Sequence, residues 1–124
     1  MKILICGSRE FADYQLMRQV LADIEERASI KIIEGAARGA DTMAGDIAMR
    51  GLGCEVIEFP AQWKKYGRGA GIIRNQQMQD EGKPDRVIAF STTYPLTPGT
   101  HDMVQRSIKA GLPIEIHISA RVSS

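Results

Sequence analysis

A few short stretches of this chain carry side chains able to hold or transform a small anionic molecule. In RGAGIIRNQQM, Arg68 to Met78, a Gly-rich turn opens into the pair Arg74 and Asn75. A helix start leaves backbone N–H groups free at the positive end of its dipole, so glycines followed by Arg74 can form an anion site. In CGSRE, Cys6 to Glu10, an apolar run ends on Gly7, the Ser8 hydroxyl and the Arg9 guanidinium, a planar fork that matches phosphate or carboxylate. A glycine after a strand is equally an ordinary turn. In EGAARGAD, Glu34 to Asp41, Gly35 and Gly39 bracket Ala36, Ala37 and Arg38, so backbone amides can face a ligand. The plainer reading makes Asp41 a helix cap, helped by Thr42, and Arg38 a solvated side chain. In STTYPLTPGTHDM, Pro98, Gly99 and Thr100 stand where a helix should begin and form a second candidate anion cradle.

Pro60 to Gly71, PAQWKKYGRGAG, reads as the longest irregular connection. Trp63 and Tyr66 are interleaved there with Lys64, Lys65 and Arg68, which suits a base or ring stacked near phosphates. Trp63 can also serve as a lid over the core. The phosphate templates GxGxxG and GxxxxGK[ST] are absent from the sequence, which argues against standard dinucleotide or P-loop chemistry. The sequence assigns no metal and no cofactor.

These stretches fall at the ends of regular elements. Lys2 to Cys6, Ile30 to Ile33, Cys54 to Phe59, Arg86 to Phe90 and Ile114 to Ile118 are short, β-branched-rich and of strand length. Helical spacing joins Leu16, Val20, Leu21 and Ile24, and then Met43, Ile47, Ala48 and Leu52 within about Ala40 to Leu52. A third helix is expected from near Gly71 to Gly82 and a fourth from near Thr100 to Gly111. Strict β-α alternation with right-handed crossovers predicts an α/β fold: a Rossmann-like three-layer sandwich, its five-stranded, mainly parallel sheet covered by helices on both faces. Ligands in such sheets sit at the carboxyl ends of the strands, where the winding reverses.

Composition sets outer limits. A chain of 124 residues, 44% hydrophobic and 25% charged, suits one domain. A net charge of +1 gives no bulk electrostatic case for coating nucleic acid or a membrane, though a local anion pocket is compatible with it. Cys6 and Cys54 are expected as free thiols rather than a bridge or a metal pair. The apolar run after Lys2 is too short for a signal peptide or a membrane span, so a cytoplasmic location is expected. Self-association into a homo-oligomer is left open.

Together, GSR (Gly7 to Arg9), GAARGAD (Gly35 to Asp41), the spaced set from Pro60 to Met78 and PGTHDMV (Pro98 to Val104) resemble the small YspA/YpsA-related branch of the SLOG superfamily. That superfamily also includes the Lonely Guy phosphoribohydrolases. The resemblance runs from Lys2 to about Ile118. It implies a nucleotide-binding domain over residues 1–119 and a ligand that is a nucleotide or derived from one; the residues at 120–124 themselves read as a flexible tail. It implies a pocket built from Gly7, Ser8, Arg9, Gly35, Arg38, Gly39, Asp41, Trp63, Tyr66, Arg74, Asn75, Pro98, Gly99 and Thr100.

Lonely Guy enzymes draw a catalytic Arg from a helix motif ending in Met and a catalytic Glu from PGGxGTxxE. Arg74 and Met78 match the first motif. In the second, the first glycines are replaced and Met103 stands where the Glu would be. Methionine carries no proton and stabilises no ribosyl cation, so the family reaction does not transfer directly. Asp102 is one residue away, about 100° around a helix, and is expected to point elsewhere. The readings in play are a binding domain, an N-glycosidic or phosphoribosyl hydrolase using Asp102, Glu34 or Asp41 with Arg74, and a partner-binding protein with a vestigial pocket.

Overall fold

In a computed structural model, residues 1–121 are described. Five strands, β1 (Lys2–Gly7), β2 (Lys31–Glu34), β3 (Glu55–Glu58), β4 (Arg86–Ser91) and β5 (Ile114–Ile118), form one sheet in the order β3-β2-β1-β4-β5. Every pairing is parallel, from Lys2 opposite Lys31 to Ser91 opposite Ile118. The sheet is therefore fully parallel, as βαβ connections require. The order reverses direction between β1 and β4, so their carboxyl ends flank the crevice.

Alternation along β1 sends its side chains to two cores. Ile3 and Ile5 join Ile32, Ile88 and Phe90 beneath α1 (Tyr14–Glu25) and α2 (Ala40–Asp46). Leu4 and Cys6 join Ile33, Val87 and Ala89 beneath α4 (Ala70–Asp80) and α5 (Pro98–Lys109). Phe90, fully buried and 5.3 Å from the ring of Phe11, anchors the first core. Truncating such a side chain to alanine costs about 3–5 kcal/mol.

Several expected boundaries move, each for a local reason. The second helix is regular only to Asp46; Ile47–Gly51 widens into a π turn, in which the Leu52 N–H reaches the Ile47 carbonyl five residues back. The fifth helix begins at Pro98 rather than Thr100, because proline is favoured in the first turn, where its missing N–H has no acceptor. The connection from Pro60 to Gly71 is not wholly irregular. It holds a short helix, α3 (Trp63–Tyr66), and a 3₁₀ turn (Gly67–Gly69), and Gly67 at a φ of +60° parts the two. Of the tail expected from Ala120, Ala120 and Arg121 lie outside any strand or helix, and 122–124 lie outside the described residues.

Two glycines let the first and second β-α turns lock together. A Cβ on Gly7 would overlap the Phe90 carbonyl and lie 2.7 Å from the Ala40 Cβ. Gly39 has a φ of +85°, and a Cβ there would come within 2.5 Å of the Ser8 and Arg9 carbonyl oxygens. Gly53 shares a positive φ, +66°, but a Cβ there meets nothing within 4 Å. Gly39→Ala is therefore expected to cost about 1–3 kcal/mol more than Gly53→Ala, since only the former adds overlap to conformational strain. Urea denaturation of both variants checks this, and equal losses would show that the turns do not depend on this contact.

Candidate functional site

A cleft of about 670 Å³, in the range typical of small-molecule sites, opens at the carboxyl ends of β1 and β4. Most of the residues singled out in the sequence meet there: Gly7, Ser8, Arg9, Asp41, Trp63, Arg74, Asn75, Pro98, Gly99 and Thr100 line it, with Asp102 and Met103. Gly35 and Arg38 line an adjoining hollow instead. Gly39 and Tyr66 line neither: Gly39 packs on the Ser8–Arg9 backbone, and the Tyr66 ring lies under the Lys65 ammonium at 5.1 Å.

The cleft is built around Arg74. Its Nη1 donates to the Gly35 carbonyl and its Nε donates to Asn75 Oδ1 at 3.2 Å. A side chain on Gly35 would collide with this arrangement, for its Cβ would stand 2.6 Å from Arg74 Cζ and 2.9 Å from Asp41 Oδ2. Asp41 does not cap its own helix. Its Oδ2 accepts the Gly35 and Ala37 N–H groups at 3.2 and 3.4 Å, folding the β2–α2 turn back on itself. Thr42 donates its hydroxyl to the Gly39 carbonyl at 3.3 Å. Asn75 continues the network by donating to the Gly99 carbonyl at 3.3 Å and to Asp102 Oδ2 at 3.0 Å. Arg106 Nε donates to the same carboxylate oxygen at 2.8 Å. These donors draw Asp102 toward α4 and onto the cleft wall, so it does not turn away from Met103's side as helical rotation suggested. Met103, fully buried, belongs to the second core and forms the cleft floor.

The two expected anion cradles differ. At α2 two of the first amides are taken by the protein: the Ala40 N–H goes to the Ser8 carbonyl at 3.3 Å and the Thr42 N–H to the Ala37 carbonyl at 3.2 Å. At α5 no side chain caps the helix, and among the described residues the Gly99 and Thr100 N–H groups have no acceptor. Thr100 is buried, with its hydroxyl turned to that of Thr97 at 3.3 Å. Ser8 is buried too: its Oγ accepts the Thr92 N–H at 3.1 Å and ties the ends of β1 and β4 together. Arg9 is exposed on the cleft rim and forms no ion pair among the described residues. Arg38 instead reaches out to Glu10 at 3.2 Å, with both side chains largely in solvent. At the start of α4 the Ala70 N–H is taken by the Gly67 carbonyl, and Arg74 stands one turn further in. In the RGAG turn a Cβ on Gly71 would lie 3.5 Å from the Trp63 ring, an ordinary contact distance. Trp63 is 51% exposed and stands on the boundary of the cleft and the hollow.

Burial shapes the acids around Arg74. Asp41, only 6% exposed, is raised to about 6 by burial against the lowering pull of Arg74 and of the two N–H donors. Glu34 is raised to about 7, chiefly by burial and further by Asp41 and Glu58, opposed by the Ala36 N–H and Arg74. Asp102 differs: partial burial works to raise it, but the hydrogen bonds from Arg106 and Asn75 prevail and hold it below the ordinary range. Burial raises the Cys6 thiol far out of reach of ionisation. Glu34 is a residue that sequence reasoning placed only among stand-in acids. The one signal in the sequence was a carboxylate closing an otherwise apolar buried strand.

Residues 1–66 match the model of the YspA, cpYpsA-related SLOG family. The chain is also 35% identical over 119 residues to the Gene 61 protein of Mycobacterium phage D29, covering 91% of this chain and 93% of that one. The fold is thus a parallel α/β sandwich with a cleft at its switch point, and the chain belongs to the YspA, cpYpsA-related SLOG family. No helix among the described residues is long and apolar enough to cross a membrane.

The buried acids dictate a pH dependence. Acids whose values rise on folding, here from 3.8 and 4.5 to about 6 and about 7, stabilise the native state below the lower values. That contribution is lost as the pH climbs through the upper ones. His117, which burial lowers, acts in the opposite sense within the same window. Glu34→Gln should therefore show a smaller loss, or a larger gain, of stability than the native protein between pH 5 and pH 8. Urea titrations at both pH values read this difference directly; parallel curves would mean that Glu34 ionises normally.

Proposed function

We propose that the cleft binds a nucleotide or a nucleotide-derived molecule, its phosphate held between Arg9 and the start of α5 and its base or ribose against Trp63. The observation that carries this reading is the pair of unanswered donors at Gly99 and Thr100 on the cleft wall, facing a space that Arg9 also lines. A helix start with free N–H groups and an adjacent guanidinium favours an anion through both hydrogen bonding and the dipole. Membership of the SLOG family supports a nucleotide-related ligand. Two free thiols, Cys6 and Cys54, suit the reducing cytoplasm.

Arg9 and Arg74 have different tasks in this reading. Arg9→Ala should weaken nucleotide binding by about 1.5–3 kcal/mol with little loss of stability, because it removes a charge-assisted bond to the ligand alone. Arg74→Ala should lower both, since it also strips Asp41 and the Gly35 carbonyl of their partner. A Cβ on Gly99 meets nothing within 4 Å, so Gly99→Val should abolish binding by filling the anion's place while the fold survives. Calorimetry with nucleoside monophosphates, followed by the fluorescence of Trp63, measures each effect. Native affinity in both Arg9→Ala and Gly99→Val would remove the phosphate from this place.

Binding is expected without turnover. Met103 supplies no carboxylate, and Asp102 Oδ2 is already engaged by two donors. Incubation with nucleoside monophosphates, with free base followed by chromatography, should show little release. Sustained release that disappears in Asp102→Asn would establish the hydrolase reading instead.

A further inference from the structure

The sheet has two outer strands, β3 and β5, and the sequence treats their edges differently. β3 is four residues long and is closed at both ends by exposed glutamates, Glu55 and Glu58, the kind of short, charged edge that discourages further pairing. β5 is five residues long, and alternation gives it an all-isoleucine face on the side of α5. Ile114 packs there into the second core, but Ile116 and Ile118 remain 39% and 45% exposed. Ile108 of α5 is exposed as well. Arg106 turns toward Gln76 of α4, and Ile108 lies about 200° further round the helix, on the flank away from α4.

The backbone of this edge is also open. The Pro113 carbonyl accepts the Val87 N–H and the Ser119 N–H donates to the Ser91 carbonyl, both at 2.9 Å. Alternate residues, Glu115 and His117 among them, therefore direct their backbone groups at β4, and Ile114, Ile116 and Ile118 direct theirs outward. We propose that this edge is a two-fold dimer interface: β5 of a second copy of this chain pairs antiparallel with it, and the two sheets join into one of ten strands. The composition of the strand selects the register, because a two-fold pairing sets one residue opposite itself. Centred on Ile116, it sets Ile114 opposite Ile118 and Glu115 opposite His117 of the second copy, and by symmetry the reverse. Apolar side chains then meet apolar ones on one face, and each carboxylate meets an imidazole on the other. Centred on Glu115 or His117, it would oppose acid to acid or imidazole to imidazole; centred on Ile114 or Ile118, it would leave part of each strand unpaired. Within one copy Glu115 already holds the Arg86 guanidinium and stands 3.0 Å from His117 Nε2, so the cross-strand pairs extend an existing charged cluster over the axis. The inference is independent of what the cleft binds.

Sedimentation velocity at micromolar concentrations should show the native protein as a dimer. Ile116→Lys brings two ammonium groups face to face and should weaken association by about tenfold or more, with the fold retained by circular dichroism. Should that variant fold poorly, Ile118→Lys at the end of the strand takes its place. The register is read by oxidation in a Cys54→Ser background. Opposed Cα atoms of a hydrogen-bonded pair stand about 5.5 Å apart, within disulfide reach, so Ile116→Cys should cross-link to its copy. Ile118→Cys should not, because four residues of strand hold it about 14 Å from its own copy. A monomeric native protein, a dimer that neither lysine variant weakens, or cross-linking that does not favour Ile116→Cys over Ile118→Cys would each overturn the interface.

Discussion

The space beside Gly35 can hold the guanidinium of Arg74 and the carboxylate of Asp41, or a side chain on residue 35, but not both. On that exclusion rests the geometry of the whole cleft. With position 35 bare, Arg74 crosses from α4 to the end of β2 and donates to the Gly35 carbonyl, so one bond joins the third layer to the sheet. Asp41 closes the same turn from below by accepting the Gly35 and Ala37 amides. The neighbour of Arg74, Asn75, extends the linkage to Gly99 and Asp102 on α5. Elements distant in sequence thus share one hydrogen-bonded network whose members, Gly99 apart, are buried or partly buried, and such networks hold their geometry because each unpaired member would be costly.

The same constraint sorts the helix starts by task. The β2–α2 turn is drawn so tightly onto β1 that the Ser8 carbonyl takes the Ala40 N–H, and Gly39 must be bare to allow it. That helix start is spent on holding two β-α turns together. The β4–α5 turn is held otherwise, through Ser8 Oγ to the Thr92 N–H and through Asn75 to the Gly99 carbonyl, neither of which uses the first amides of α5. Two glycine-bearing turns of similar appearance therefore differ in use: one ties two β-α turns together, and the other keeps the Gly99 and Thr100 N–H groups without an acceptor among the described residues.

How much of this could be read from residues alone follows from what each signal measures. Strand identity was legible because β-branched runs such as RVIAF and IEIHI have strand length and composition, although only the first is buried and the second is a partly exposed edge strand, and sheet class followed from alternation. The meeting of GSR, Asp41, Arg74 and PGT was legible because all lie at carboxyl ends of strands or the helices that follow. Side-chain direction was not. Asp102 faces the cleft because Asn75 and Arg106 pull on it, and those partners lie 27 and 4 residues away along the chain. Tyr66 lies under the Lys65 ammonium, and no residue of the short helix it ends is buried. The π turn at Ile47–Gly51 keeps an apolar periodicity close to that of a regular helix, so spacing alone does not distinguish them.

Charge distribution then limits where an anion can rest. Arg74 is already opposed by Asp41 and Glu34, both buried, so much of its field is compensated inside the protein. Asp102 is a carboxylate facing the cleft, but Arg106 and Asn75 stand against it. Two guanidiniums lining the cleft, Arg9 and Arg68, have no ion pair among the described residues, and with the open start of α5 they carry the positive charge left over. The apolar floor at Met103 presents a buried thioether, which brings neither charge nor a transferable proton to the cleft.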